Sequence, residues 1–203
     1  MAVGFVDAVG FSSFTAAHGD EAAVQIAERL EATTVELDGF GVRTVKHLGD
    51  GLLAVCEHPA KLVTGIQHVL AFDSSESTSL RLRAGVTVGS VIVRRGDVHG
   101  VVVNLAARLC DLAPPGTCWM TTDVLAALPV AVGARLLGRV TVRGFPTTVD
   151  VAELGCTTAP AGRVEDPVCR MLIDPNLAAA SREDATGTRW WFCSTACHAM
   201  HPT

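Results

Sequence analysis

Apolar positions run from Ala2 through Val9, broken by Asp7, and end at Gly10. A run of that length and density predicts a strand buried on both faces. Behind Asp20, which can cap a helix, Ala23, Ile26, Leu30 and Thr33/Thr34 recur at helical spacing and predict a helix over 21–37. Residues 42–47 and 52–56 read as strands joined by the tight turn Gly49-Asp50-Gly51, a hairpin signal. A helix is expected over 59–72, then a polar, serine-rich loop over 73–79. Strands at 80–86 and 90–93 precede a helix at 100–111, which Pro114, Pro115 and Gly116 terminate. A short helix at 121–128 and strands at 140–143 and 148–153 close the unit. Strands and helices mixed in this order predict an α+β sandwich in which helices cover one sheet.

The pattern changes near residue 156. Residues 156–164 are rich in Thr, Ala, Pro and Gly and read as a linker. The chain therefore divides into 1–155, the linker, and a tail over 165–203 whose aromatic and cysteine content has no counterpart upstream. Nothing in the first unit relies on the tail to complete its run of elements.

Composition narrows the class. With 49% apolar and 18% charged residues among 203, the chain can bury one core and a small satellite. The first fourteen residues lack a basic start and contain Asp7, so they do not read as a signal peptide. The apolar stretch 124–134 holds Pro129 and Gly133 and is too short to span a bilayer. A cytoplasmic protein with no membrane partner is expected. A net charge of −5 without a block of like charge argues against a nucleic-acid surface. Seven cysteines, an odd number, suit reduced thiols or metal ligands better than a disulfide framework.

Chemistry concentrates in three segments: Phe5 to Ser12, Lys46 to Gly51, and Asp97 to Leu109. They supply two carboxylates beside tight turns (Asp7, Asp50), a donor and an acceptor able to read a base (Lys46, Asp97), and Asn104 and Arg108 at i,i+4 on one helix face. That is the inventory of a metal–nucleotide site. Adenine presents an acceptor at N1 and a donor at N6, so Lys46 and Asp97 complement it, whereas guanine reverses both positions. Lys46 is one of only two lysines, against fourteen arginines, which sets it apart from background. Arg108 lies among Val101, Val102, Val103, Leu105, Ala106 and Ala107, so an apolar setting that demands an anionic partner is expected.

In order and spacing these segments resemble the class III nucleotidyl cyclases, which convert a nucleoside triphosphate to a 3',5'-cyclic monophosphate and pyrophosphate. The resemblance covers residues 1 to about 155 and implies a ferredoxin-like βαββαβ sandwich. It implies that Asp7 and Asp50 hold two Mg2+ or Mn2+ ions, that Lys46 and Asp97 select the base, and that Asn104 and Arg108 meet the ribose and the phosphate charge of the transition state. Arg143 stands where relatives commonly have a phosphate-facing lysine, and His99 where they often have an aromatic. The resemblance further implies ATP as substrate and a homodimer with two shared sites. Cyclases that use GTP resemble the pattern with an acidic residue in place of the lysine.

The tail opens Asp166-Pro167-Val168-Cys169-Arg170-Met171 and closes Trp191-Phe192-Cys193-Ser194-Thr195-Ala196-Cys197. It resembles the YHS module, a small cysteine-containing domain found with metal-handling proteins, with Arg170 in place of the usual glycine. Cys169, Cys193 and Cys197, with His198 or His201 as a fourth ligand, could hold Zn2+ or another transition metal in a tetrahedral site. Cys56, Cys110, Cys118 and Cys156 read as small hydrophobes. The expectation is an adenylate cyclase with a YHS-like tail. The alternatives are a guanylate cyclase, and a metal- or redox-responsive binding protein that uses a cyclase-like dimer as scaffold.

Overall fold

The computed structural model describes residues 1–73, 80–129, 133–155 and 161–202. Strand β1 (Ala2–Ala8) is hydrogen-bonded along both edges, antiparallel to β3 (Gly51–Cys56) on one side and to β4 (Leu82–Val88) on the other. Beyond β3 lies β2 (Arg43–His47), and beyond β4 lie β7 (Thr117–Thr121), β9 (Val149–Gly155) and β8 (Arg135–Val140). The first four strands and their helices reproduce the βαββαβ order, with spatial sequence β2-β3-β1-β4. Among the described residues only the β4–β7 pair is parallel, as a helical crossover requires.

Alternation along β1 sorts the two faces. Val6 and Ala8 join the larger core beneath α3 (Pro59–Asp73), while Val3 and Phe5 pack with Val103 and Ala106 of α4 (Val101–Leu112). Asp7 falls on the α4 face. That helix is seated by Gly85 of β4, where an added Cβ would stand 2.2 Å from the Ala106 carbonyl oxygen and 2.3 Å from the Cys110 nitrogen. Only a residue without a side chain permits this approach.

Two expected elements are corrected. The helix expected over 21–37 is α2 (Asp20–Thr34), followed by a 3-10 segment at Val35–Phe40, and a separate helix α1 (Phe11–His18) precedes it. Gly19, at φ 85°, divides the two helices, and Asp20 makes no side-chain cap. The strand expected at 140–143 runs instead over Arg135–Val140, leaving Arg143 in the following turn. Asp97 lies in a strand, β6 (Asp97–His99), paired with β5 (Ile92–Arg94) across a turn at Arg95-Gly96 whose φ angles are both positive. Residues 74–79, and 156–160 of the expected linker, lie outside the described residues.

The tail packs against the first unit. Beyond the short helix α5 (Thr122–Ala126) of the first unit, the tail adds strands β10 (Val164–Glu165) and β11 (Leu172–Ile173), the hairpin β12 (Ala180–Glu183) and β13 (Arg189–Phe192), and helix α6 (Thr195–Met200), which packs on α1. Cys169, Ile173, Phe192 and Cys197 belong to the same buried cluster as Ala8, Phe14 and Leu30. No helix among the described residues is long and apolar enough to cross a membrane.

Replacing Gly85 with Ala forces backbone of β4 and α4 apart and should lower stability by about 1–3 kcal/mol in denaturant unfolding. Gly155→Ala, where nothing lies within 4 Å of the new Cβ, should stay within about 0.5 kcal/mol of wild type.

Candidate active site and thiol cluster

A β-bulge between Thr44 and Lys46 sets the register at the end of β2. The Lys46 ammonium donates to Asp97 Oδ2 at 2.6 Å, and Asp97 Oδ1 accepts from the Val98 amide at 2.8 Å. The Lys46 bond, with the Val98 amide and the nearby positive charge, holds the Asp97 carboxyl below its ordinary range. Both side chains are substantially exposed, at 42% and 31%. An ion pair so open to water adds little to stability. Its consequence is positional: a donor and an acceptor stand side by side, Asp97 lining a neighbouring hollow and Lys46 the wall of an open cleft of about 380 Å³. Phe5, Leu53, Val98 and Asn104 also line that cleft, giving it apolar walls.

Asn104 lines a second open hollow as well, of about 610 Å³, together with Arg108, Arg143 and Phe145. The i,i+4 spacing on α4 thus carries from a base-sized cleft to a cationic one. Arg108, expected among apolar neighbours, is instead half exposed and donates to Asp111 Oδ2 at 3.1 Å. Val103 and Ala106 turn to the other side of the helix and are buried, while Val101 and Ala107 line the same hollow as Arg108.

Asp7 and Asp50 line neither hollow. Asp7 pairs in register with Gly51, and the Ala8 amide donates to the Asp50 carbonyl at 3.0 Å, so the hairpin turn is tied to the end of β1. Burial, and next the negative charge of Asp7, push the Asp50 carboxyl above its usual range. A Cβ at Gly51 would come within 2.7 Å of the Val6 carbonyl oxygen and 3.5 Å of Asp7 Oδ1. Two mutually repelling carboxylates beside a backbone kept bare suit hard divalent cations such as Mg2+ or Mn2+.

Sequence reasoning missed Arg83. It stands opposite Asp7 in the β1–β4 register, and its Nε and Nη2 donate to Asp7 Oδ2 at 3.0 and 2.8 Å. Its Nη1 donates to the Asp111 carbonyl at 2.5 Å. The result is an alternating row, Asp7, Arg83, Asp111, Arg108. An arginine interrupting the apolar run 80–86 was the available signal, but its partner depends on strand register.

The adenylate and guanylate cyclase catalytic domain model matches residues 1–152. This chain belongs to that family. An adenylate cyclase of Glutamicibacter nicotianae is 36% identical over 140 residues, 67% of this chain and 34% of the relative. A Streptomyces coelicolor adenylate cyclase is 37% identical over 118 residues, 56% of this chain and 30% of the relative. The chain spans about a third of the length of such curated relatives. Among solved structures, a monomeric-state Trypanosoma brucei adenylate cyclase superposes with a TM-score of 0.70 at 20% identity, covering 79% of this chain and 88% of that one. The catalytic core of a rhodopsin-guanylyl cyclase with converted specificity, in complex with ATPαS, gives 0.69 at 18% identity, with coverages of 75% and 93%. At those identities the superpositions establish the fold.

Outside the matched cyclase domain, the tail gathers Cys169, Cys193 and Cys197. Cys193 Sγ lies 3.4 Å from Cys169 Sγ and 3.5 Å from Cys197 Sγ. Asp166, fully buried, accepts from the amides of Val168 (2.8 Å), Cys169 (3.3 Å) and Cys193 (2.8 Å). Burial opposes its ionisation, but these donors together hold its carboxyl below the ordinary value. The Asp-Pro-Val-Cys turn was a visible signal for the first two bonds; the third spans 27 residues. Cys56, Cys110 and Cys118 are buried, as expected, and form no disulfide among the described residues, and Cys156 lies outside them.

The expected fourth ligand is corrected. His198 packs edge-on to Phe192, and His201 packs against Trp190 and Phe192. The imidazole beside the thiols belongs to His18 of α1, whose Nε2 lies 3.3 Å from Cys193 Sγ and 3.7 Å from Cys197 Sγ. Arg170, in the glycine position of the tail's opening, has φ 65° and lays its stem against Gly10.

The raised Asp50 carboxyl has a stability consequence whose sign is definite. A folded-state value above the unfolded one makes ionised Asp50 a cost to the metal-free fold once pH exceeds the raised value. Asp50→Asn should therefore raise the denaturation midpoint of metal-free protein at neutral pH, with the gain vanishing as pH falls below both values. An equal or lower midpoint at pH 7 would contradict the burial and repulsion described.

Proposed function

We propose that the chain is an adenylate cyclase that converts ATP to 3',5'-cyclic AMP and pyrophosphate at a site shared by two copies. The observation that carries this reading is the Lys46–Asp97 pair, 2.6 Å apart, with Lys46 on the wall of the cleft that Asn104 borders and Asp97 beside it in the adjoining hollow. Lys46 donates to adenine N1 and Asp97 accepts from N6. Guanine would set donor against donor and acceptor against acceptor, the kind of mismatch that buried polar sites reject strongly. Relatives that carry the name adenylate cyclase point the same way.

Asn104 holds the ribose, while Arg108 and Arg143 attract the polyphosphate into the second hollow. Each copy contributes Asp7 and Asp50 to one site, and Lys46, Asp97, Asn104 and Arg108 to the other. When bound at the two carboxylates, two Mg2+ or Mn2+ ions supply activation of the ribose 3'-hydroxyl and neutralisation of the phosphate charge. Arg108 must exchange Asp111 for phosphate oxygens, and the exposure of that ion pair makes the exchange inexpensive. The tail is read as a small metal-holding module of the YHS kind.

With Mg2+ or Mn2+ present, purified protein should form cyclic AMP from ATP, and kcat/KM for ATP should exceed that for GTP by on the order of a hundredfold or more. Lys46→Glu should reduce ATP use much more than GTP use. Equal turnover of the two nucleotides overturns the base assignment, and the absence of cyclic nucleotide from either leaves the scaffold reading in its place.

Sharing of the site has its own test. Asp50→Ala and Arg108→Ala homodimers should each be nearly inactive. After subunit exchange about half the dimers are mixed, with both lesions in one site and the other intact, so activity should recover to roughly a quarter of wild type. No recovery despite exchange verified by differential tags would rule out the shared site.

A further inference from the structure

We propose a metal site at the joint between the tail and the cyclase domain, in which His18 of α1 completes a Cys3His set with Cys169, Cys193 and Cys197. The ligand atoms of these four residues all lie within 4.8 Å of one another. A tetrahedral zinc ion with bonds of about 2.3 Å to sulfur needs neighbouring sulfurs about 3.7 Å apart. The sulfur–sulfur separations of 3.4 and 3.5 Å lie slightly inside that spacing, and the separations of 3.3 and 3.7 Å from His18 Nε2 bracket the value of about 3.6 Å that a shorter zinc–nitrogen bond gives.

The surroundings prepare this geometry. Asp166 ties the amide of Cys169 to that of Cys193, so the two loops bearing these thiols share one buried anchor. The Ser194 hydroxyl accepts from the Cys197 amide at 3.1 Å and caps α6, placing Cys193 and Cys197 one turn apart. The His18 ring stacks on Phe14 at 4.6 Å between centroids, and Phe14 is itself in the core. These contacts orient ligands before any ion arrives, the arrangement that makes a metal site tight.

Three thiolates and one imidazole favour a soft or borderline divalent ion, zinc above all, over the hard cations suited to Asp7 and Asp50. Four protein ligands leave no open position, so the ion is structural. On binding, each thiol gives its proton to solvent and its sulfur lone pair to the metal, with no change of oxidation state. Because His18 ends α1, and Cys169 and Arg170 rest on Gly10 at its start, the ion fastens the tail along the whole helix. Gly10 is three residues beyond Asp7. The staple therefore holds the segment that follows the catalytic carboxylate.

The test uses the full chain, stripped of metal under reducing conditions and titrated with Zn2+, and separately with Co2+ to read coordination by absorption. One ion per chain is expected, with the spectrum of tetrahedral cobalt and thiolate charge-transfer bands. His18→Ala should weaken Zn2+ binding by at least about tenfold, while His198→Ala and His201→Ala change it by less than about twofold. His18→Cys keeps a ligand in place and should retain the ion with a stronger thiolate charge-transfer band, which guards against a mere folding defect. Zn2+ should slow amide exchange in α1 of wild type and not of His18→Ala. Zn2+ affinity unaffected by His18→Ala overturns the joint site in favour of a tail-only one. A Cys169–Cys193 disulfide that re-forms without metal uptake overturns it in favour of redox chemistry.

Discussion

Because β1 is hydrogen-bonded along both edges, the face on which each of its side chains emerges is fixed by register and alternation together. Val6 and Ala8 enter the large core, and Asp7 between them must emerge on the opposite face, under the influence of Arg83 from one neighbour and Asp50 from the other. A slip of one residue would bury the carboxylate among Leu62, Ile66 and their neighbours, at a cost of several kcal/mol for an unpaired charge. The hydrophobic pattern of the strand thus protects the position of its single acid. The same register brings Gly85 beneath α4, so the strand that orients Asp7 also settles the depth at which Asn104 and Arg108 are carried.

The charged groups then form two systems with different physical jobs. Asp7, Arg83, Asp111 and Arg108 alternate in sign along the α4 face, so each finds a partner within the chain before any nucleotide binds. Asp50 is the exception: burial and the neighbouring Asp7 both disfavour its ionised form. The least compensated negative charge is therefore at Asp50, and Arg108, whose partner Asp111 is exposed, is held the more loosely of the two arginines. Lys46 and Asp97 stand apart from this row. Their value lies in direction more than in energy, since a solvent-accessible pair stabilises little but still presents one donor and one acceptor in a fixed order.

Local sequence was informative wherever the chemistry is local. The Gly-Asp-Gly turn, the acid within an apolar strand and the Asn/Arg pair one helical turn apart all depend on spacings of a few residues, and the structure finds them in the expected elements. What escaped depends on long-range geometry. Arg83 meets Asp7 across 76 residues, and His18 meets Cys193 across 175. Helix α1 was hidden because Gly10 and Gly19 confine it to eight residues, too short for a periodic signal. The strand expected at 140–143 was displaced because Val142 is buried not by sheet pairing but by the satellite cluster with Leu109 and Val151. Arg108 misled for a related reason: neighbours in sequence are not all neighbours on a helix, and of its apolar flanks Ala106, Leu109 and Cys110 are buried while Ala107 shares its hollow.

The boundary near residue 156 turns on the same distinction between composition and packing. A change of residue usage near 156 marks a change of chemistry, from carboxylates and arginines to thiols and aromatics, and it is real. Packing ignores it. Phe14, which seats the His18 ring, shares one core with Phe192 and Cys197, and Cys169 and Arg170 press on Gly10 in the left-handed conformation that starts α1. Removing the tail would therefore expose the face of α1 it covers, although every strand of the seven-stranded sheet lies before residue 156. A cyclase domain completed in this way has its carboxylate-bearing strand and its thiol cluster joined by one short helix. Whatever alters the thiols must act on α1 before it can reach Asp7.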